Sequence, residues 1–237
     1  MGIDVSAMAF LMMNKKYVKG DVLQLGRQGM HLGWNQVDAN NGRKVFEAMD
    51  TENKFQDIFS TNPHADGFFT YLGADKVDSM DYSDFEQASI VHDLNNPVPK
   101  ELENKFDFIY DGGTIEHIYD VKTVMENIKK MLKLNGVFAG LAVGNNSLGH
   151  GFYQFSPELY RTVFSEEAGY QIHSLQLIEN TDIPNFIDLP TPPKGERQEM
   201  RTKDVPIYVC FIIEKIKEVS DTKNFQQSDY LKNWGEL

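Results

Sequence analysis

Four short stretches carry side chains that could do chemistry, and each follows an apolar run. In Leu25-Gly26-Arg27-Gln28-Gly29, a glycine lets the backbone turn sharply and approach a ligand closely. The same residues also suit an ordinary strand-to-helix turn. In Asp81-Tyr82-Ser83, a carboxylate can accept hydrogen bonds from both hydroxyls of a ribose, and Tyr82 can pack on an adenine face; Asp81 suits a turn cap equally. In His92-Asp93-Leu94-Asn95, Asp93 can accept from an exocyclic amine, and a backbone N–H such as that of Leu94 can bind a ring nitrogen. The alternative is a plain turn, with His92 a half-buried strand residue. Asp111-Gly112-Gly113-Thr114-Ile115-Glu116-His117 is polar and glycine-rich, as a ligand-facing loop should be.

Proton transfer needs a group that titrates near neutrality, and imidazole does. His117 and His150 are the candidate bases. His117 also suits a packing role, and His150, between Gly149 and Gly151, suits a turn. Tyr153 could donate a hydrogen bond to an acceptor or simply form a wall with Phe152 and Phe155. No His, Asp or Glu cluster has a recognisable metal-ligand spacing, and the single Cys210 excludes a cysteine-rich zinc site.

The elements that must position these residues alternate between strand and helix, the mark of a parallel sheet with crossover helices. Strands are expected at 21–25, 76–81, 89–93, 106–110, 137–143, 174–179 and 208–216. Residues Gly42 to Phe59 read as helical, with Val45, Phe46, Met49, Phe55 and Ile58 facing the core. A second helix is expected from Val121 to Leu134, capped by Asp120 and closed by Asn135-Gly136. Ser156-Pro157-Glu158 opens a third. In open sheets of this kind, ligands bind beyond the carboxyl ends of the strands. All four chemical stretches sit at such ends.

Taken in order, residues 20–145 resemble the class I S-adenosylmethionine (SAM)-dependent methyltransferases. Asp21 to Gly29 is similar to the family's first motif, although Gln28 stands where a second glycine is expected. Phe106-Asp107-Phe108-Ile109 through Glu116-His117-Ile118 is similar to its fourth-strand segment, and Met131 to Val137 to its turn into the fifth strand. Gly26-Arg27-Gln28 and Gly149 to Glu158 look like a divergent bacterial subgroup found with surface-polysaccharide genes. The resemblance implies a Rossmann-like α/β fold, a mostly parallel seven-stranded sheet with helices on both faces. It implies SAM as cofactor, held by Gly26, Arg27, Gln28, Asp81, Tyr82, Asp93, Leu94, Asp111 and Gly112. It further implies methylation of an oxygen on a small molecule or saccharide precursor, with His150, His117 and Tyr153 as the catalytic set. An anionic, phosphoramidate-type acceptor would call for cations, for which Arg161, Arg197 and Arg201 are placed. A non-catalytic SAM-binding protein and a nucleotide-dependent oxidoreductase are the competing classes.

The chain has 237 residues and a formal net charge of −12, with 41% hydrophobic residues. That suits one domain over 1–216, with 1–20 as an N-terminal cover, 180–207 as a substrate-side excursion and 217–237 as a polar tail. The acidity disfavours a nucleic-acid partner. Ala7 to Met13 is apolar but too short to cross a bilayer. A lone cysteine in an apolar run fits a reducing compartment, and a cytoplasmic protein is expected.

Overall fold

The computed structural model describes residues 2–32, 36–50, 55, 58, 63–193, 195–219 and 225–235. Its main sheet has eight strands: β2 (Gly20–Leu25), β4 (Ala74–Asp81), β5 (Ile90–Val91), β6 (Phe106–Asp111), β7 (Leu132–Asn145), β8 (Tyr170–Glu179), β9 (Asn185–Asp188) and β10 (Ile207–Lys215). Their order is β5-β4-β2-β6-β7-β10-β8-β9. From β5 to β7 every pairing is parallel; β10 runs antiparallel to both neighbours, and β9 antiparallel to β8. The sheet is thus one strand wider than the expected seven. The extra strand, β9, forms within the 180–207 excursion, where Asn-Phe-Ile-Asp is too short and mixed to stand out in sequence.

Alternation along the strands sends side chains to two cores. In β10, Ile207, Val209, Phe211 and Ile213 join one apolar cluster, while Cys210 and Ile212 join the other. The first cluster is covered by α4 (Val121–Met131) and α5 (Pro157–Val163). The second is covered by α1 (Val5–Met13), α2 (Gln36–Met49) and α3 (Asp66–Leu72). α1 is buried on all sides, which accounts for its uniform hydrophobicity. Among the described residues no helix is long and apolar enough to cross a membrane.

Two boundaries differ from expectation. α2 begins at Gln36 and stops at Met49; most of 50–62 lies outside the described residues, but Phe46 and Ile58 are buried and Val45, Met49 and Phe55 pack beside them. α4 ends at Met131, and Leu132 already pairs with Phe106 as the start of β7. Asn135, at φ 62°, therefore bends the strand rather than capping the helix. The helix end is served instead by the buried Lys215, whose Nζ donates to Lys129 O at 3.1 Å and Leu132 O at 3.0 Å.

Beyond Ile216, in the region expected to be a polar tail, residues Ser228–Trp234 form a helix. α6 (Ser228–Trp234) docks through Ser228 on Glu158 and through an Arg197–Asp229 ion pair. A second, two-stranded sheet joins β1 (Gly2–Ile3) to β3 (Gly29–Met30) in parallel. This pairing ties the N-terminal segment to the loop after β2, above the carboxyl ends of the main strands.

Candidate active site

The loop after β2 turns at Gly26, whose φ of 70° only glycine adopts freely. Its N–H donates to Met80 O at 2.7 Å. The next N–H, that of Arg27, reaches the Asp81 carboxylate at 3.4 Å. The half-buried Asp81 keeps most of its accepting capacity for a ligand. Tyr82 and Phe85 beside it are 75% and 89% exposed, so two aromatic faces stand open next to that carboxylate. The Arg27 side chain is committed elsewhere: its guanidinium donates to the carbonyls of Glu86 and Gln87 at 2.8 Å and pairs with Asp66 at 3.3 Å. It fixes the loop that carries Tyr82 and Phe85.

Gln28 is fully buried, with Nε2 donating to Leu25 O at 2.5 Å and to Thr114 Oγ1 at 3.3 Å. After it the chain enters β3, not a helix, so the backbone has no need of a second glycine there. Gly112 packs closely on Gln28: a β-carbon there would lie 2.5 Å from Gln28 Oε1 and 2.8 Å from the Tyr110 ring, so one of these buried side chains would have to shift. At the end of β5, Asp93 spends both oxygens on its own turn, accepting from Asn95 N at 2.9 Å, Asn95 Nδ2 at 2.8 Å and Asn96 Nδ2 at 3.1 Å. These bonds hold its pKa below the ordinary carboxyl value. Leu94 is buried in the core, and His92 reaches Asn96 O.

Asp111 closes β6 and is fully buried. Its Oδ1 accepts from Thr114 N at 2.9 Å and Ile115 N at 3.4 Å, while Oδ2 has no donor among the described residues. Burial raises its pKa well above the usual range, and the charge of Glu116 raises it further. Glu116 is itself 1% exposed and is pushed up to about 7 by burial. Gln28 Oε1, Glu116 Oε2 and the hydroxyl of Tyr110 likewise find no partner among the described residues. Burial favours the neutral form of these carboxyls, and a positively charged ligand beside them would draw their pKa values back down and supply the missing partner.

Next to them opens a cavity of about 330 Å³. Asp4, Tyr110, Glu116, His150, Asn180 and Tyr208 give it polar walls, and Leu141 and Val143 an apolar one. A network ties its rim: Ser6 Oγ to Asn180 Oδ1 at 2.8 Å, Asn180 Nδ2 to Tyr208 Oη at 3.2 Å, and Tyr208 Oη to Asp4 Oδ2 at 3.4 Å. Among the described residues, the walls include no lysine or arginine.

The structure brings His117 and His150 together, with ring centroids 5.1 Å apart. His150 Nε2 lies 3.7 Å from Glu116 Oε1. The approach is made by backbone bonds from Phe152 N (2.8 Å) and Tyr153 N (3.3 Å) to Glu116 O. Burial depresses the His117 pKa, and the neighbouring His150 depresses it further. Tyr153 is elsewhere: its hydroxyl donates to Tyr119 O at 2.8 Å, and its ring stacks on Phe155. Arg161 and Arg197 also lie away from this cavity. Arg161 donates to Pro190 O and Gln198, and both arginines line a separate cavity beside α5.

Asp4, Asn180 and Tyr208 escaped the sequence reading because they lie far apart in the chain and meet only in the fold. The one local signal was Asp4 itself, an N-cap before an apolar helix, which accepts from Ala7 N at 2.8 Å. The Glu116–His117–His150 group spans two loops 33 positions apart, so no spacing rule reveals it.

The strand order, the reversed β10 and the helices on both faces give the chain a Rossmann-like methyltransferase fold. In agreement, a protein from Bacillus halodurans C-125 assigned as a methyltransferase superposes with a TM-score of 0.50 at 10% identity, covering 88% of this chain and 99% of that one. Two further structures match with TM-scores of 0.48, each at 14% identity. One is the Burkholderia thailandensis 1,6-didemethyltoxoflavin N1-methyltransferase with its substrate and S-adenosylhomocysteine (SAH) bound, over 90% of this chain and 78% of that one. The other is a protein assigned as SAM-dependent from Listeria monocytogenes, over 89% and 97%. No protein-family model and no curated protein matches the sequence.

Proposed function

We propose that this chain is a SAM-dependent methyltransferase acting on an oxygen of a small polyhydroxylated acceptor, such as a sugar hydroxyl of a polysaccharide precursor. The observation that carries this reading is the polar cavity beside the end of β6, with Glu116 and His150 in its wall. A cavity of about 330 Å³ suits a ligand the size of a monosaccharide. Its oxygens suit a ring of hydroxyls.

The residues at the strand ends fit SAM. Asp81 would take the ribose hydroxyls, with Tyr82 and Phe85 beside the adenine. Asp111 Oδ2 and Gln28 Oε1, two of the buried acceptors that find no donor among the described residues, suit an ammonium group. When bound, SAM supplies a methyl group on a sulfonium, which needs only an aligned nucleophile. The chain's part is to orient the acceptor through Asp4, Asn180 and Tyr208, and to ease loss of its proton through the Glu116–His117–His150 group.

Calorimetry with SAH, followed by transfer of labelled methyl from SAM to a panel of monosaccharides, tests the proposal. Saturable SAH binding and label in a sugar are expected. Binding without transfer to any hydroxyl would favour a non-catalytic SAM-binding protein. No SAH binding at millimolar concentration would end both readings.

A further inference from the structure

Glu116, His117 and His150 each offer one ligand atom, and the three atoms lie within 4.8 Å of one another. We propose that they hold one divalent transition-metal ion at the wall of the acceptor cavity. Two imidazoles and one carboxylate form a ligand set suited to zinc, manganese, iron or cobalt, and poorly suited to magnesium, which prefers an all-oxygen shell. Ligand atoms sharing such an ion stand roughly 3–3.6 Å apart, from bond lengths of about 2.0–2.2 Å. The His150–Glu116 separation of 3.7 Å is already close to that value. Both histidines are exposed, so their side chains have room to rotate toward a shared ion.

Two independent features support the site. Glu116 Oε2 is buried with no donor among the described residues, an arrangement that is costly unless something positive completes it. The backbone accommodates this approach. Gly151 lets the His150 loop lie directly on Glu116 O, and a β-carbon on Gly113 would fall 3.0 Å from Glu116 Oε1. Three protein ligands leave coordination positions open, and Glu116 and His150 both face the cavity. The open positions would take oxygens of the acceptor, which rests on the methyl-transfer reading; the binding of the ion does not. On this account the histidines act on the acceptor through the ion, not as free bases.

The test uses the full chain, stripped with a chelator and titrated with Co²⁺ while its visible absorption is recorded. One equivalent should bind and produce ligand-field bands, Zn²⁺ should displace it, and Mg²⁺ should not. His150→Ala, which alters an exposed side chain, and Glu116→Gln should each weaken Co²⁺ binding by at least tenfold. Should Glu116→Gln fail to fold, His150→Ala and His117→Ala decide. No saturable Co²⁺ binding up to millimolar concentration, or binding unchanged in the histidine variants, overturns the site. SAH affinity, measured on the same samples, separates the two claims. Cobalt binding without SAH binding would leave the ion site standing and remove the methyl-transfer reading; the reverse would remove only the ion.

Discussion

Gly151 lies so close to Glu116 that a β-carbon on it would sit 2.7 Å from the Glu116 carbonyl oxygen. That oxygen already accepts from Phe152 N, and the contact is what presents His150 to the buried carboxylate. Gly151→Ala must therefore push the loop outward. Methyl transfer is expected to fall by about 10²-fold, the scale of an ångström-sized misplacement of a reacting group. SAH affinity, measured by calorimetry, should stay within about twofold if the loop serves the acceptor, as proposed. Undiminished transfer in Gly151→Ala would show that the loop contact is not needed for chemistry.

Asp81 and Asp78 share one strand but are expected to part in function. Asp78 is buried and accepts from Ser89 Oγ at 3.0 Å and Lys76 Nζ at 2.7 Å. Among the described residues, the Asp81 carboxylate accepts only the long contact from Arg27 N. Asp81→Ala should weaken SAH binding at least tenfold, since charge-assisted hydrogen bonds are worth about 1.5–3 kcal/mol each. Asp78→Asn should lower the melting temperature and leave SAH affinity unchanged. The opposite pattern would put the ribose at Asp78.

The pH dependence of stability should carry the mark of Asp4. Burial raises its pKa, outweighing the lowering by hydrogen bonds from Ala7 N and Tyr208 Oη. The folded protein therefore holds this proton more tightly than the unfolded chain, whose carboxyl titrates near about 3.9. The stability that results is complete below that value and is lost as pH rises through the folded-state value. Asp4→Asn keeps an N-cap of equal quality and removes the buried charge. Thermal melts should show the variant more stable than the parent at neutral pH, with the gap closing toward pH 4. A gap that is constant with pH would mean that Asp4 does not titrate differently on folding.

Tyr153 and His150, both expected from sequence to serve catalysis, should separate in an activity assay. Tyr153→Phe removes one hydrogen bond to Tyr119 O, worth about 0.5–1.5 kcal/mol of stability, and should keep methyl transfer within about threefold. His150→Ala should lower transfer by about 10²-fold or more. Equal losses in both would bring Tyr153 back to the acceptor.

Sequence order made the sheet legible, because each strand alternates or runs apolar and ends in a turn residue. It located Asp81 and Asp111 at strand ends for the same reason. It misplaced the end of α4, because Lys215, from the far end of the chain, supplies a cap that no local pattern announces. It could not see that Arg27 is committed to Asp66 and to the carbonyls of Glu86 and Gln87, or that Asp93 accepts within its own turn, since a side chain's partners depend on packing. The cavity was illegible for a related cause: Asp4, Glu116, His150 and Tyr208 meet only after the chain closes on itself.

The reversed strand β10 has a consequence for how the molecule is made. It lies between β7 and β8, and it is the last strand of the sheet in chain order. On a ribosome, β2, β4, β6 and β7 can pair as they emerge. β8 and β9 must wait, since β8 joins the rest only through β10. Until Ile207 to Lys215 arrives, the apolar edges of β7 and β8 stand open, a template for wrong pairing. Synthesis should thus pass through a half-built sheet whose protection from aggregation depends on the arrival of Ile207–Lys215.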